Sequence, residues 1–282
     1  MKNALGAIAF LATMLIMGAA IHPAYAGNKY RLITALGDVK IITGTTSSPA
    51  VQGQDLSGDQ IIVTGKGSMA DVSLGGRGLM RVQENTRVAV ATIEKKGGPD
   101  LDMEQGGILV ILSKLLKGNS YQVKTHTQVV SVRGTIFQVS GDTSKSQLDV
   151  FTGSVMVSPV TDGAIQSQIV QMVTEGQSLS LDRRTVLEIL AKRRKISLSA
   201  IRAEVKDAFM KQAMTMRELP EYKKLNRDTR KELDDRIQRI RQELKEKGLD
   251  RESLKEKLID RKALKEKLEE RKQGIIDRLK NR

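Results

Sequence analysis

Few side chains in this chain could carry out covalent or metal chemistry. The chain contains no cysteine and two histidines, His22 and His126. A zinc site needs several histidine, cysteine or carboxylate ligands close together. A Ser-His-Asp arrangement built on His126 would lack a G-x-S-x-G elbow to present its serine. The sequence therefore predicts no catalytic, cofactor-binding or metal-binding residues and no enzyme activity, and we expect His126 to be a surface or hydrogen-bonded histidine beside a strand.

Three acidic residues alternate along the chain at Asp100, Asp102 and Glu104. In a β-strand this spacing puts the carboxylates on one face. A pair of them could act in acid–base chemistry, and the group could hold a weakly bound calcium ion. We interpret them instead as a solvated strand face.

The strongest charge signal is a basic C-terminal region. The chain has a formal net charge of +14, and residues 183–282 hold 32 lysines and arginines against 19 acidic residues. Such a region could bind anionic lipids, lipopolysaccharide or acidic cell-wall polymers through charge. Alternatively, the charges pair along a solvated helix, as the spacings Glu232–Arg236, Asp235–Arg239 and Glu243–Lys247 allow. The sequence leaves both interpretations open.

Aromatic residues make up only 3% of the chain, and tryptophan is absent. Proteins that bind single-stranded nucleic acid use aromatic side chains as stacking platforms. No nucleic-acid partner is therefore expected, and core packing must depend on valine, isoleucine, leucine and methionine.

Residues 1–26 have the features of a signal peptide. Lys2 precedes a nearly unbroken apolar run from Ala4 to Ile21, Pro23 ends the run, and Ala24-Tyr25-Ala26 is a small-x-small cleavage site. We expect cleavage after Ala26 and a periplasmic or secreted protein with no integral membrane span. The alternative is an uncleaved N-terminal anchor, because the apolar run is about long enough to cross a bilayer.

Residues 27–181 are predicted to form a mainly β domain. Glycines recur at short intervals and mark tight turns, because glycine reaches positive φ without steric cost. Between them apolar and polar residues alternate, which puts one face of each strand on a core. The residues expected on that face include Ile61, Val63, Ala70, Val72, Leu74, Met80, Val82, Val88 and Val90. Many short strands separated by turns indicate a sandwich, a roll or a solenoid-like stack.

One apolar stretch does not alternate. Residues Ile108 to Leu116 are apolar apart from Ser113 and Lys114. The stretch fits either a fully buried strand or a short helix, and periodicity cannot separate the two.

Residues 182–282 are predicted to form a basic α-helical tail. Asp182 suits the N-cap of a first helix. A second helix is expected from Ser199 to Arg217, before Pro220. Thr229 and Glu232 have the spacing of a capping box. The residues that end this third helix and begin a fourth are Gly248 and then Asp250 or Ser253.

The tail also contains a ten-residue repeat, in which Arg241, Arg251, Arg261 and Arg271 head successive blocks. A period of ten matches neither the seven-residue nor the eleven-residue repeat of a supercoil. The repeat therefore favours a solvated helix or short helices folded back on one another over a long coiled coil.

Three blocks of the β region, taken in order, resemble the FecR domain family. The first is Val51-Gln52-Gly53-Gln54-Asp55-Leu56, followed by Gly58-Asp59, Thr64-Gly65, Ser68 and Ala70. The second is Met80-Arg81-Val82 with Glu84-Asn85-Thr86. The third is Tyr121-Gln122-Val123-Lys124-Thr125, then Val132-Arg133-Gly134-Thr135 and Phe137-Gln138-Val139, and it continues in Gly153-Ser154-Val155. The resemblance spans about Val39 to Leu179.

We interpret the residues of these blocks as scaffold. Gly58-Asp59 and Gly134 suit tight turns, and Asn85 and Thr86 can bond their own backbone. Arg133 is expected to tie neighbouring strands through its forked donors rather than to contact a ligand.

The resemblance implies a periplasmic module that works by protein contact. The best-known members of the family relay a signal to a sigma factor through a cytoplasmic segment. Only Met1 to Asn3 precede the apolar run here, so no anti-sigma role is expected. The protein is expected to act as a binding, scaffold or sensory module, and its expected partner is an envelope protein. The alternatives are binding of an anionic cell-wall polymer or lipopolysaccharide by the tail, and a periplasmic part in a transmembrane signalling pathway.

Overall fold

A computed structural model of the chain describes residues 30–74, 77–90, 100–113, 121–192, 196–225 and 227–249. The expected signal peptide, the expected fourth helix and most of the ten-residue repeat lie outside these residues.

The described residues form eighteen strands and four helices. The strands are β1 (Tyr30–Leu36), β2 (Val39–Thr43), β3 (Thr46–Pro49), β4 (Asp55–Leu56), β5 (Gln60–Thr64), β6 (Met69–Leu74), β7 (Gly78–Val82), β8 (Arg87–Val90), β9 (Leu101–Leu112), β10 (Tyr121–Lys124), β11 (Gln128–Val132), β12 (Ile136–Gly141), β13 (Lys145–Thr152), β14 (Ser154–Thr161), β15 (Ala164–Ile165), β16 (Gln171–Thr174), β17 (Gln177–Asp182) and β18 (Ser199–Ala200). The helices are α1 (Arg183–Lys192), α2 (Ala203–Arg217), α3 (Pro220–Lys223) and α4 (Arg227–Glu246). The expected order of a mainly β part followed by helices is confirmed.

The strands form two packed sheets that share β9. Sheet A has the order β1, β6, β7, β9, β12, β13, β17, β18, with β4 beside the start of β1. Sheet B has the order β3, β2, β5, β8, β9, β10, β11, β14, β16, and β15 pairs with the end of β14. All neighbours are antiparallel except β9 and β10. Of the three expected architectures, this is a sandwich.

Strand β9 passes from one sheet to the other at a pair of glycines. Residues up to Gln105 pair with β8, and residues from Gly106 onward pair with β12. Gly106 has a φ of +95°, and a Cβ built on it would lie 2.2 Å from Oγ1 of Thr86. The crossing therefore requires glycine, both for backbone conformation and for space.

The main core fills the space between the sheets. Its alternating members include Ala70 and Val72 on β6 and Met80 and Val82 on β7, all fully buried as predicted. One prediction is wrong: on β5 the inward side chain is Ile62, whereas Ile61 and Val63 are only partly buried. The reason is the register, which places Ile62 beside the buried Ile41 and Val88.

A second core lies on the opposite face of sheet A. There Leu79, Leu109, Ile111, Ile136 and Phe151 pack against helices α2, α3 and α4. Helix residues in this core are Phe209, Ala213, Met216, Tyr222, Leu233, Ile237, Ile240 and Leu244. Because both faces of sheet A are covered, residues Ile108 to Leu112 of the ambiguous stretch form a strand buried on two sides, while residues 114–116 lie outside the described residues.

The helix boundaries follow local signals with two exceptions. Oδ1 of Asp182 accepts a hydrogen bond from the backbone N–H of Thr185 at 2.7 Å, which confirms the predicted cap. Helix α2 begins later than expected, because Ser199–Ala200 pairs with β17. Helix α4 begins before Thr229, whose side chain is buried within it. At its end Gly248 has a φ of +59°, so the predicted stop is confirmed.

Helices α2 and α4 run antiparallel to each other. Lys206 pairs with Glu243 near one end, and Nε of Arg217 lies 3.0 Å from Oδ1 of Asp234 near the other. This part of the tail therefore consists of short helices folded back on one another and packed on sheet A.

Candidate interaction surfaces

His126 lies in the turn between β10 and β11, with its side chain exposed. The neighbouring Thr125 and Thr127 are buried in the turn rather than placed in strands. Both hydroxyls bond to Ser146, and that of Thr127 also donates to the carbonyl oxygen of Leu181 at 3.1 Å. In the part of the chain that the structure describes, no hydrogen bond joins His126 to a serine or a carboxylate.

Asp102 and Glu104 on β9, and Asp100 just before it, each have a basic partner. Oδ1 of Asp100 is 3.5 Å from Nη1 of Arg77, Oδ2 of Asp102 is 3.4 Å from Nζ of Lys124, and Oε2 of Glu104 is 2.7 Å from Nε of Arg87. Within the described ranges, no group of three or more His, Cys, Asp or Glu side chains is placed to hold a metal ion. The carboxylates tie β9 to its neighbours.

Asp100 belongs to a cluster that closes one end of the main core. The guanidinium carbon of Arg77 lies 5.7 Å from the ring centre of Tyr30 and 5.3 Å from that of Tyr121. Nη2 of Arg77 donates to the Tyr30 hydroxyl at 3.0 Å, and Asp100 accepts from the backbone N–H of Gln122 at 2.8 Å. Burial raises the pKa of Asp100 and of both tyrosines. The stacked cation joins strands of both sheets.

The bracing role expected of Arg133 is not shown. Its side chain is exposed in the turn between β11 and β12 and makes no hydrogen bond or ion pair with the described residues. Arg81, in the second motif block, fills that role instead. Its Nε and Nη2 donate to Oδ1 and Oδ2 of Asp71 at 2.7 and 2.8 Å, and both residues are buried.

Arg81 also joins the helices to sheet A. Its Nη1 donates to the carbonyl oxygen of Gln212 at 3.2 Å and bonds the Thr215 hydroxyl. Beside it, Nε2 of Gln83 donates to Oε1 of Gln212 at 3.0 Å. These bonds hold the C-terminal half of α2 against the strands.

None of the three intrahelical ion pairs that the spacings allow is formed among the described residues, and Glu243 pairs with Lys206 instead of Lys247. Arg236 and Arg239 pair with Glu175, in the turn between β16 and β17, at 3.1 and 3.3 Å. Arg236 is buried in this contact, because α4 rests on the sheet instead of standing in solvent. The predicted helical pairing of Glu232 with Arg236 and of Asp235 with Arg239 is therefore wrong.

Most basic side chains of helices α2 to α4 that form an ion pair do so with an acidic residue of the same three helices. The pairs within the helical layer include Lys206–Glu243, Lys211–Asp207, Arg217–Asp234 and Lys224–Glu221. By contrast, the sequence between Glu188 and Glu204 contains no acid and five basic residues, which are Lys192, Arg193, Arg194, Lys195 and Arg202. This segment just before α2 thus carries +5 of the net charge of +13 of residues 183–282.

Exposed apolar side chains gather at one edge of sheet B. Met156 on β14 lies opposite Met172 on β16, and they are 44% and 57% exposed. Val170, next to β16, is 57% exposed. The free edge of β16 is covered by glutamines, since Oε1 of Gln177 accepts from the N–H of Thr174 at 2.9 Å and Nε2 of Gln171 donates to the Met172 carbonyl at 2.7 Å. The edge is protected against strand addition, whereas the apolar face beside it is open.

No helix among the described residues is both long and apolar enough to span a bilayer.

Comparison with known proteins gives a match to a family model and similarity to solved structures. Residues 60–156, from the start of β5 into β14, match the family model described as FecR protein. Two crystal structures of a candidate anti-sigma factor from Parabacteroides distasonis ATCC 8503, at 1.65 and 2.50 Å resolution, align with a TM-score of 0.38 and 17% identity. The alignment covers 50% of this chain and 59% of that protein. No match was found among curated proteins. The match to the family model identifies residues 60–156 of this chain as a FecR domain.

Proposed function

We propose that this protein is an exported, non-enzymatic module of the cell envelope that binds a protein partner, as a scaffold or a sensor. FecR domains form the periplasmic part of envelope signalling proteins. The proposal is supported by the different roles of charged and apolar side chains in this domain. Its ionisable groups tie strands and helices together, as in Arg81–Asp71 and Arg77–Asp100. Three of its exposed apolar side chains, Met156, Val170 and Met172, lie on or beside β16 and its neighbour β14. This division suits recognition by surface contact.

The partner is an envelope protein that covers the face formed by Met156, Val170 and Met172. Large apolar patches left open on a folded protein mark interaction sites, and methionine adapts its shape to different partners. The glutamine caps on β16 favour side-chain contact with this face over addition of a strand.

Photo-crosslinking in whole cells tests this proposal. A photoreactive residue replaces Met172 in one variant and Val51 in a control, since the two are similarly exposed at 57% and 63%. We expect a specific adduct from position 172 and none from position 51. The replacements Met156→Gln and Met172→Gln should abolish capture from a probe at position 170 and leave the melting temperature unchanged. Equal adducts from both positions, or none from position 172, would overturn the proposal. Capture of a membrane-spanning transducer would favour the sensory role over the scaffold.

A second candidate is binding of an anionic envelope polymer through the basic segment before α2. It is favoured by the run of cations between Glu188 and Glu204. The test is a pull-down on isolated envelope at rising salt, because charge-driven binding weakens as salt screens it. One variant carries glutamine at positions 192–195, and a matched control carries glutamine at Lys223, Lys231, Lys245 and Lys247. Loss of binding in the first variant alone would support the candidate, and unchanged binding would remove it.

A further inference from the structure

The outer face of sheet A carries its own apolar centre. Leu79, Leu109, Ile111, Ile136 and Phe151 are each at most 1% exposed beneath the helices. None of them belongs to the core between the sheets, which is made of a separate set of buried residues. The main core between the sheets therefore contains no side chain from helices α2 to α4.

The carboxylates on the same face accept hydrogen bonds from side chains of the sheet. Both carboxylate oxygens of Asp71 accept from Arg81, and Oδ2 also accepts from the Thr34 hydroxyl at 2.9 Å. Asp149 accepts from the Ser178 hydroxyl at 2.7 Å and from the Gln147 amide at 3.2 Å. Because a buried charge without a partner is costly, the placement of this ion pair matters: removing the helices would leave Asp71 paired with Arg81.

The helices add few polar contacts to that network. They are the bonds from Arg81 and Gln83 to α2 and the ion pairs from α4 to Glu175. The rest of the contact is apolar, with the ring of Phe209 stacked on Phe151 at 3.9 Å between centres. An apolar centre with a polar rim is the pattern of a protein–protein interface.

We propose that helices α2 to α4 form a lid that opens as a unit over a folded sheet A. The uncovered face then receives an amphipathic helix from a protein partner. Helix α2 shows what the face accepts: an aromatic ring for Phe151 and a main-chain carbonyl for Arg81. The claim that a protein partner binds this face rests on the proposed function, whereas the opening of helices α2 to α4 does not.

Native-state hydrogen exchange on the full chain tests the opening. Amides of α2 and α4 should share one opening equilibrium, with protection at least tenfold lower than that of β7, β9 and β12. The double variant Gln212→Ala, Arg236→Gln removes lid contacts, so it should speed exchange in both helices at least tenfold and leave the three strands unchanged. The control Lys211→Gln, in a surface pair within α2, should change neither. Equal acceleration in helices and strands would show a single cooperative unit and overturn the proposal.

A locked lid tests the partner separately. The chain has no native cysteine, so Gln83→Cys and Gln212→Cys can be joined by a short bis-maleimide. A photoreactive residue at Met214, which is 45% exposed at the lid, should capture an envelope protein in the unlocked chain and lose at least tenfold of that adduct when locked. Capture that is unaffected by locking would overturn the partner while leaving the result on opening intact.

Discussion

Arg81 and Asp71 lie directly opposite each other on β7 and β6 and form a two-point ion pair, with N–O distances of 2.7 and 2.8 Å. Their side chains are 5% and 2% exposed, so neither charge can rely on water if the other is removed.

Arg81→Met is therefore expected to lower the free energy of unfolding by about 3–5 kcal/mol, because it leaves a buried carboxylate uncompensated. The double variant Arg81→Met, Asp71→Leu should recover most of that loss. Urea unfolding followed by circular dichroism measures both. Replacing the exposed partners Arg31 and Asp55 by glutamine and asparagine should leave the urea midpoint unchanged. A double variant no more stable than the single one would contradict this explanation.

Gly106→Ala is expected to destabilise the fold by about 3 kcal/mol or more, because the new Cβ would meet Thr86 in a left-handed backbone conformation. The matched control is Gly44→Ala. Gly44 also has positive φ, but a Cβ there would meet nothing within 4 Å, so its cost should be about 1 kcal/mol. Thermal melts compare the two. Equal losses would show that space at the crossing of β9 does not matter.

Asp149 gives a pH dependence whose sign is fixed by burial. Burial raises the pKa of Asp149 above its ordinary value of 3.8, so the folded protein holds this proton more tightly than the unfolded chain. The resulting stabilisation is complete below that ordinary value and is lost as pH rises through the folded pKa. Asp149→Asn keeps an acceptor for Ser178 and removes the titration. Its stability relative to the parent should therefore increase between about pH 4 and pH 7 in urea titrations. A constant difference across this range would contradict the assignment.

Phe209→Ala is expected to cost about 3–5 kcal/mol, since it removes a fully buried ring stacked on Phe151. Phe209→Leu should cost less, because it retains most of the buried volume. Differential scanning calorimetry would report both, and intact strand circular dichroism would show that the sandwich survives. A loss below about 1 kcal/mol would mean that α2 is not anchored at this position.

The sequence contained the local signals that place turns and helix ends. Asp182, Pro220 and Gly248 mark boundaries through groups adjacent in the chain, so these were predictable. What covers the outer face of sheet A depends on contacts distant in sequence. Arg81, between Met80 and Val82, therefore looks like a solvent-facing residue until α2 is placed over it.

The same dependence on contacts distant in sequence explains why the partners of charged residues were not predicted. Arg236 has an acid one helical turn away in sequence, yet the structure pairs it with Glu175 from a distant turn. Arg133 stands in the third motif block, but its side chain is exposed in the turn between β11 and β12. On β5, consecutive apolar residues allow two phases of alternation, and only pairing with Ile41 selects Ile62.

The membership of β9 in both sheets has a mechanical consequence. Force applied to one sheet is transmitted to the other through the continuous backbone of β9. Neither sheet should therefore separate from the fold by itself. Cleavage near Gly106 would leave one half of β9 paired in sheet B and the other half in sheet A, and would remove the covalent link that β9 provides between the two layers.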